Sequence, residues 1–294
     1  MKIEILGTPF NGLGLPPNVE NPADGLRQAN LITLLESKGH SVTDLGDLSG
    51  FQFQEIRDLD TGIKDFNLWI DLSNALSIKL GTILDNEAFP LLLGGDCSML
   101  VGIFSAFAQR DIEVGLILLD AHADFHSPES STSGDPADME LAILTGRGPG
   151  KITRIAGKYP LLKDEDVLVY GIRAWDQIAD SNIRVYDMKR MIESGMKHAV
   201  EQGLENFTRR SLPSWLHFDV DVLDPEFMPV MFPEPGGLNL EEIQNFLNLV
   251  WNSRQTEVKG LSIACYHPRL DTDGNAGKQL ATLISEVLSP LTKT

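Results

Sequence analysis

Two clusters of metal-type side chains each stand directly behind an apolar run. The first is Asp120-Ala121-His122-Ala123-Asp124, which follows Val114-Gly115-Leu116-Ile117-Leu118-Leu119. In extended backbone successive side chains alternate, so Asp120, His122 and Asp124 are expected on one face with the two alanines on the other. The second is Asp219-Val220-Asp221, at the end of a stretch that begins at Trp215 and continues into Val222-Leu223-Asp224-Pro225. Carboxylates brought together in this way repel strongly, and divalent cations are the ordinary means of neutralising them. One such cluster is commonly a solvated turn or a cap. Two, each following a buried-type strand, would meet in the crevice where open α/β sheets bind ligands.

The elements that must position these residues follow from periodicity. The run 114–119 is short, continuous and apolar, as in a parallel strand covered on both faces. Further strands are expected at 3–6, 41–45, 89–93, 166–171, 183–185, 215–219 and 258–265. Helices are expected from Pro22, capped by Asn21, to a stop at Gly39, and over 63–86, 139–144, 188–207, 240–251 and 276–288. Gly94-Gly95-Asp96-Cys97-Ser98 reads as a tight turn into a helix running to Ala108, and Thr8 to Pro17 as a Gly/Pro-rich loop. Strand then helix, repeated, gives the α/β class with a mainly parallel sheet covered on both faces. A closed eight-stranded barrel competes with an open doubly wound sheet, and periodicity alone leaves the two open.

At 294 residues, 42% apolar and 22% charged, the chain is long enough to bury a large core, and residues 1–294 are expected to form a single α/β domain. A net charge of -18 opposes nucleic acid and anionic membrane as partners and favours a small cationic substrate. No apolar stretch reaches the roughly 18 residues of a membrane span, and Met1 to Gly7 reads as a strand rather than a cleavable signal. A cytoplasmic protein is therefore expected. Cys97 and Cys265 are too few for a disulfide framework.

Gly94-Gly95-Asp96-Cys97-Ser98, Asp120-Ala121-His122-Ala123-Asp124, Ser133-Gly134, Gly171-Ile172-Arg173, Asp219 to Pro225 and Pro235-Gly236-Gly237-Leu238 occur in an order and spacing that resembles the arginase/agmatinase (ureohydrolase) family. The resemblance spans nearly the whole chain. It implies an open three-layer α/β/α fold with an eight-stranded parallel sheet, two Mn²⁺ ions bridged by a hydroxide, and trimers or hexamers. It further implies that Asp120 and Asp219 each bridge both metals, that Asp124 completes the first site, and that His122 and Asp221 complete the second. Hydroxide formed at such a pair attacks the central carbon of a guanidino or amidino group, and the intermediate collapses with loss of an amine.

Three positions depart from the family pattern. Cys97 stands where the last ligand of the first metal is normally histidine, as in a branch that includes the hydroxyarginine amidinohydrolases; sulfur there favours Zn²⁺ or Fe²⁺ over Mn²⁺. Cys265 falls where guanidino-hydrolysing members carry a glutamate for the substrate cation. A Cys97 thiolate with a neutral Cys265 would conserve the total charge; alternatively the two thiols pair oxidatively, given Cα atoms within about 7 Å. Asp135-Pro136-Ala137-Asp138 replaces the stretch that in arginases holds a proton-shuttling histidine, and His126 is the nearest substitute.

Asp124 and His126 are thus the candidate catalytic residues. Ser131, Ser133 and Asp176 occupy positions that in arginases touch the amino-acid end of the substrate, and Cys265 lines the same site. His217 is expected to hydrogen-bond a ligand or fill the core, and Asp96 and Asp224 to brace turns. The function expected is hydrolysis of a C–N bond in a linear amidine, guanidino or hydroxyguanidino. Two alternatives stand beside it: a cysteine hydrolase pairing Cys97 with His122 as base, and a family member that binds metal or a small molecule without turnover.

Overall fold

The structure, a computed structural model, describes residues 1–10 and 21–289, so residues 11–17 of the expected Gly/Pro-rich loop lie outside the described residues. Its strands are β1 (Lys2–Gly7), β2 (Ser41–Asp47), β3 (Phe89–Leu93), β4 (Gly115–Leu119), β5 (Val167–Tyr170), β6 (Arg184–Tyr186), β7 (Ser214–Asp219) and β8 (Val258–Ala264). They form one eight-stranded sheet in the order β2-β1-β3-β8-β7-β4-β5-β6. Every pairing is parallel. β2 and β6 are the two edges, which decides for the open sheet over the barrel.

Between the strands run α1 (Pro22–Gln28), α2 (Leu31–Ser37), α3 (Phe66–Asp85), α4 (Leu100–Ala108), α5 (Glu140–Leu144), α6 (Gly150–Thr153), α7 (Met188–Ser194), α8 (Met196–Arg210), α9 (Leu240–Trp251) and α10 (Asn275–Val287). The apolar runs alternate between two cores. Ile117 and Leu119 of β4 pack with Leu35, Phe207, Phe246 and Ile284 on one face. Leu116 and Leu118 pack with Trp69, Leu76, Phe104 and Leu141 on the other. Both side-chain sets are buried, which is why the central strands lack polar alternation and why the sheet is sandwiched between two helical layers. Among the described residues no helix is long and apolar enough to cross a membrane.

Two helices expected as continuous are broken. Asn30 adopts φ 64 between α1 and α2, and Gly195 adopts φ 80 between α7 and α8. Both residue types tolerate the left-handed region, so a single position turns the chain without a long loop.

Sheet register assembles the site. β4 and β7 are neighbours with Leu119 opposite Phe218, so Asp120 and Asp219 follow side by side at the carboxyl ends. β8 flanks β7 with Ala264 opposite Asp219, placing Cys265 next. β3 flanks β8, and its end continues into Gly94-Gly95-Asp96-Cys97. The connection leaving β4 runs to β5 on one side, whereas that leaving its neighbour β7 runs to β8 on the other, so the chain's direction across the sheet diverges between these two strands. Such a switch point is where open sheets hold ligands.

The turn carrying Cys97 depends on Gly95. At φ +73 a Cβ there would lie 2.3 Å from the Thr8 carbonyl oxygen and 2.8 Å from that of Phe10, while the Gly95 carbonyl accepts the Cys265 amide at 2.9 Å. Gly95→Ala is expected to lower the unfolding free energy by more than about 1 kcal/mol, measurable as a drop in the urea midpoint at unchanged slope.

Candidate metal centre

The aspartates at the two strand ends are held by the same local device. The Asp120 Oδ1 accepts the His122 amide at 2.7 Å, and the Asp219 Oδ1 accepts the Asp221 amide at 2.9 Å. Each carboxylate thus fastens its own turn with one oxygen. The other oxygens converge on sulfur: Cys97 Sγ lies 2.9 Å from Asp219 Oδ2 and 3.6 Å from Asp120 Oδ2.

Around this pair the donors gather in three groups, each with its ligand atoms within 4.8 Å of one another: Asp120 with His122 and Asp221, Cys97 with Asp219 and Cys265, and Cys97 with Asp124 and Glu140. His122 Nδ1 stands 3.0 Å from Asp221 Oδ2 and 3.7 Å from Asp120 Oδ1. Its Nε2 is 4.0 Å from Glu234 Oε1, on the following loop. Arg173 anchors that loop by donating to the backbone carbonyls of Asp221, Val222 and Glu234.

Asp120, His122 and Asp124 do not lie on one face of a continuing strand, as alternation would require. β4 ends at Leu119, and Asp124 adopts φ 48. A left-handed residue, not a pleated strand, turns Asp124 back toward Cys97. The same turn removes the basis for placing His126 on the ligand face. Its ring instead meets Ser130 Oγ at 3.4 Å, beside Asp138.

His217 proves to be the imidazole in contact with Cys97, at 3.3 Å from Nε2 to Sγ. On Ser262 Oγ converge the Trp215 indole Nε1 at 2.9 Å and His217 Nδ1 at 2.6 Å. The indole can only donate, so the serine hydrogen is available to Nδ1. The arrangement that uses every donor leaves the imidazole proton on Nε2, aimed at the sulfur. Burial lowers His217 to about 4, which keeps it neutral. His122, the base in the cysteine-hydrolase alternative, is engaged by Asp221 and Asp120, and the imidazole that meets Cys97 is His217 instead.

The remaining expected residues form the rim. Ser131 Oγ lies 3.1 Å from Ser133 Oγ, both hydroxyls reach Asp138, and the Gly134 amide donates to Ser131 at 2.9 Å. Asp176 spends both oxygens on backbone, accepting from Phe125 N at 2.6 Å and Ile178 N at 2.9 Å, which fixes the loop after Asp124. Asp96 caps the Cys97 turn through Ser98, and Asp224 accepts the amides of Glu226, Gly236 and Gly237, so both brace turns. Cys97 and Cys265 are free thiols, each pushed well above the usual range: Cys97 by burial first, and Cys265 by burial and Asp219 despite the opposing contact with Cys97. The protein's own groups therefore hold Cys97 as a thiol, and the shared-charge idea requires a cation.

Glu140 was not anticipated. It heads α5 with no exposure. The available signal was a charged residue set inside the apolar segment Met139 to Leu144.

A sequence model of the arginase family matches residues 1–289. The chain belongs to the arginase family. It is 29% identical over 291 residues to the arginase of Staphylococcus aureus strain MRSA252, covering 96% of this chain and 95% of that one. Among solved structures it resembles the arginase of Bacillus cereus, with a TM-score of 0.87, 25% identity and 100% of both chains covered. The arginase of Bacillus subtilis strain 168 superposes with a TM-score of 0.86 at 28% identity over 98% of each chain. The arginase-family three-layer α/β/α fold is thus present over nearly the full length.

Electrostatically the centre holds more anionic groups than its own cations balance. Burial, then Glu140 and Asp120, hold Asp124 well above the carboxylate range; burial, then Asp221 and Asp120, do the same for Asp219. Asp221 is raised by burial and Asp120 against the opposing pull of His122. Burial works against the His122 cation, but Asp120 and Asp221 outweigh it and push the ring up to about 12. All these groups bind protons more tightly folded than unfolded. Above pH about 6.5, the ordinary histidine value, unfolded His122 and the unfolded carboxyls are deprotonated and His217 is neutral in both states. The folded form then binds more protons, so stability falls as pH rises. Chelator-treated protein is expected to melt at lower temperature at pH 8.5 than at pH 6.5, and a saturating divalent cation to raise the melting temperature and flatten that slope, as read by calorimetry.

Proposed function

We propose that this arginase-family chain is a hydrolase of C–N bonds in a linear amidine, a guanidino or hydroxyguanidino compound, that works with a binuclear divalent metal centre. The observation that carries this is the convergence, behind β4 and β7, of Asp120, Asp124 and Asp219 on the Cys97 sulfur, with His122 and Asp221 gathered on the other side of Asp120.

The residues fit such a centre by their chemistry. The carboxyls are desolvated and raised by one another's charge, and the one cationic side chain in their three groups is His122, an imidazole that is itself a common ligand. Asp120 and Asp219 would be shared between two cations, Asp124 and Cys97 would hold one, and His122 and Asp221 the other. Mn²⁺ follows from the family resemblance, while the Cys97 sulfur suits Zn²⁺ or Fe²⁺. When bound, the pair supplies Lewis acidity and water of lowered pKa.

The chain's own groups do the rest. His217 Nε2–H directs a donor at the Cys97 sulfur and so favours its anionic form, orienting it as a ligand. Asp176 locks the amide of Phe125 and with it the path of Asp124. Ser131 and Ser133, tied to Asp138, present hydroxyls for the polar end of a substrate. Cys265 is neutral where guanidino-hydrolysing relatives carry a carboxylate, so the pocket demands less positive charge of its substrate; a hydroxyguanidine, a weaker base than guanidine, suits it. His126, beside Ser130 and Asp138, is the proposed proton carrier. The net charge of -18 favours approach of a small cation over nucleic acid or membrane. A single domain over 1–294, a homotrimer or homohexamer, and a cytoplasmic location complete this reading.

A second reading, metal binding without turnover, is favoured by Cys265 in the substrate-anchor position. The two separate on one panel. Chelator-stripped protein reloaded with Mn²⁺, Fe²⁺ or Zn²⁺ is expected to release urea, hydroxyurea or formamide, respectively, from at least one guanidino, hydroxyguanidino or formimino compound. Asp219→Asn is expected to lose at least about 100-fold in rate, since even residues that only orient a ligand cost 10- to 100-fold. Metal uptake with no product from any member of the panel selects the second reading, and activity surviving chelation but lost to thiol alkylation overturns both.

A further inference from the structure

Glu140 is a carboxylate for which neither the fold nor the family pattern accounts. Its residue exposure is 0%, and among the described residues neither side-chain oxygen meets a well-formed hydrogen-bond donor; its own amide and the Asp124 carboxyl are the polar groups that ease its charge. The other residues of α5, Leu141, Ala142, Ile143 and Leu144, are buried apolar ones, so an apolar side chain at 140 would satisfy packing alone. A buried carboxylate without adequate donors is strongly disfavoured. Such a group persists where a cation satisfies it, and among the described residues the side chains that act on it most strongly are acids, Asp120 and Asp96 through their charge and Asp124 through a hydrogen bond. What its carboxylate does meet is a pair of metal-type donors, with Asp124 and Cys97 offering ligand atoms within 4.8 Å.

We propose that Glu140 is a direct ligand of the divalent cation held by Cys97 and Asp124, giving that position one sulfur and an added carboxylate. This rests on the binuclear reading above and extends it to a residue outside that ligand set. The donor set selects a borderline divalent ion, Fe²⁺, Co²⁺ or Zn²⁺, that accepts thiolate and carboxylate together. A methylene of reach distinguishes a ligand from a mere negative charge, so Glu140→Asp and Glu140→Gln are both informative.

The test uses the full chain, stripped with chelator and titrated with Zn²⁺ or Co²⁺ alone. Elemental analysis after desalting counts ions per chain, and calorimetry reads the cation-induced melting shift. Wild type is expected to take up two ions. Glu140→Gln and Glu140→Asp are expected to weaken one of the two by about tenfold or more, to reduce the melting shift, and to alter the Co²⁺ ligand-field bands while the sulfur-to-cobalt charge-transfer band from Cys97 remains. Stripped Glu140→Gln is expected to melt no lower than stripped wild type, because the variant removes an unsatisfied buried acid. Two ions retained at unchanged affinity with an unchanged cobalt spectrum would overturn the proposal and leave the binuclear reading standing. Equal losses of stability in stripped and loaded variants would assign Glu140 to structure alone and likewise overturn it. Wild type that binds no ion at all would bring down the binuclear reading and this proposal together.

Discussion

Asp120 and Asp219 end adjacent parallel strands in matching register, and the cost of placing their carboxylates together out of water governs the rest of this structure. At a few ångströms in a medium of low polarity, like charges repel by several kcal/mol, and desolvation adds to that. A sheet does not bring such residues together for its own stability. The neighbouring elements temper the cost: the turn amides of His122 and Asp221 each hydrogen-bond one oxygen, and the His122 ring lies against Asp221 and Asp120. What they leave is a set of oxygens and a sulfur turned toward one another, which only protons or metal cations can reconcile.

Rigidity around that set comes from buried groups behind it. Trp215, His217 and Asp219 alternate along β7 on one face, and Ser262 stands opposite His217 on β8. The pleat therefore delivers an indole donor, a hydroxyl relay and an imidazole in line with the Cys97 sulfur. Because every link is buried and each has a partner, the orientation of the imidazole is fixed by the sheet rather than by a mobile loop. The following loop is tied with comparable care, since Arg173 donates to carbonyls on either side of the turn that leaves Asp221. Gly171 makes room for this at φ 94, where a Cβ would strike Val222 at 2.5 Å.

Much of this was legible in the sequence, for a physical reason. Strands buried on both faces must be apolar throughout, so Leu116 to Leu119 and Leu91 to Leu93 announced themselves. Open against closed could not be settled, because closure depends on whether distant edges pair and leaves no local mark. The breaks at Asn30 and Gly195 each depend on one residue taking a conformation that a periodic pattern does not register. The alternation expected of Asp120, His122 and Asp124 is absent: β4 ends at Leu119, and a left-handed turn at Asp124, which periodicity does not register, sets where that side chain goes. His217 and Glu140 were underrated because their meaning lies in neighbours about 120 and 40 positions away, Cys97 in each case, which the sequence names but does not bring together.

The two cysteines and Glu140 are best understood as one redistribution of charge. Against the family pattern, a neutral imidazole position carries sulfur and a carboxylate position carries a second thiol, while the structure adds a buried carboxylate beside the first sulfur. Under the proposed binuclear reading, negative charge would lie nearer the cations and less of it would face the substrate. A cation surrounded by more anionic donors is held more tightly but is a weaker Lewis acid, because its charge is already compensated. A pocket that no longer offers a carboxylate to the substrate also gains less from a full positive charge there. Under the same reading both changes would push in the same direction, toward a less basic amidine whose carbon is more open to attack, so that the substrate's own reactivity would make up for what a more neutralised centre gives away.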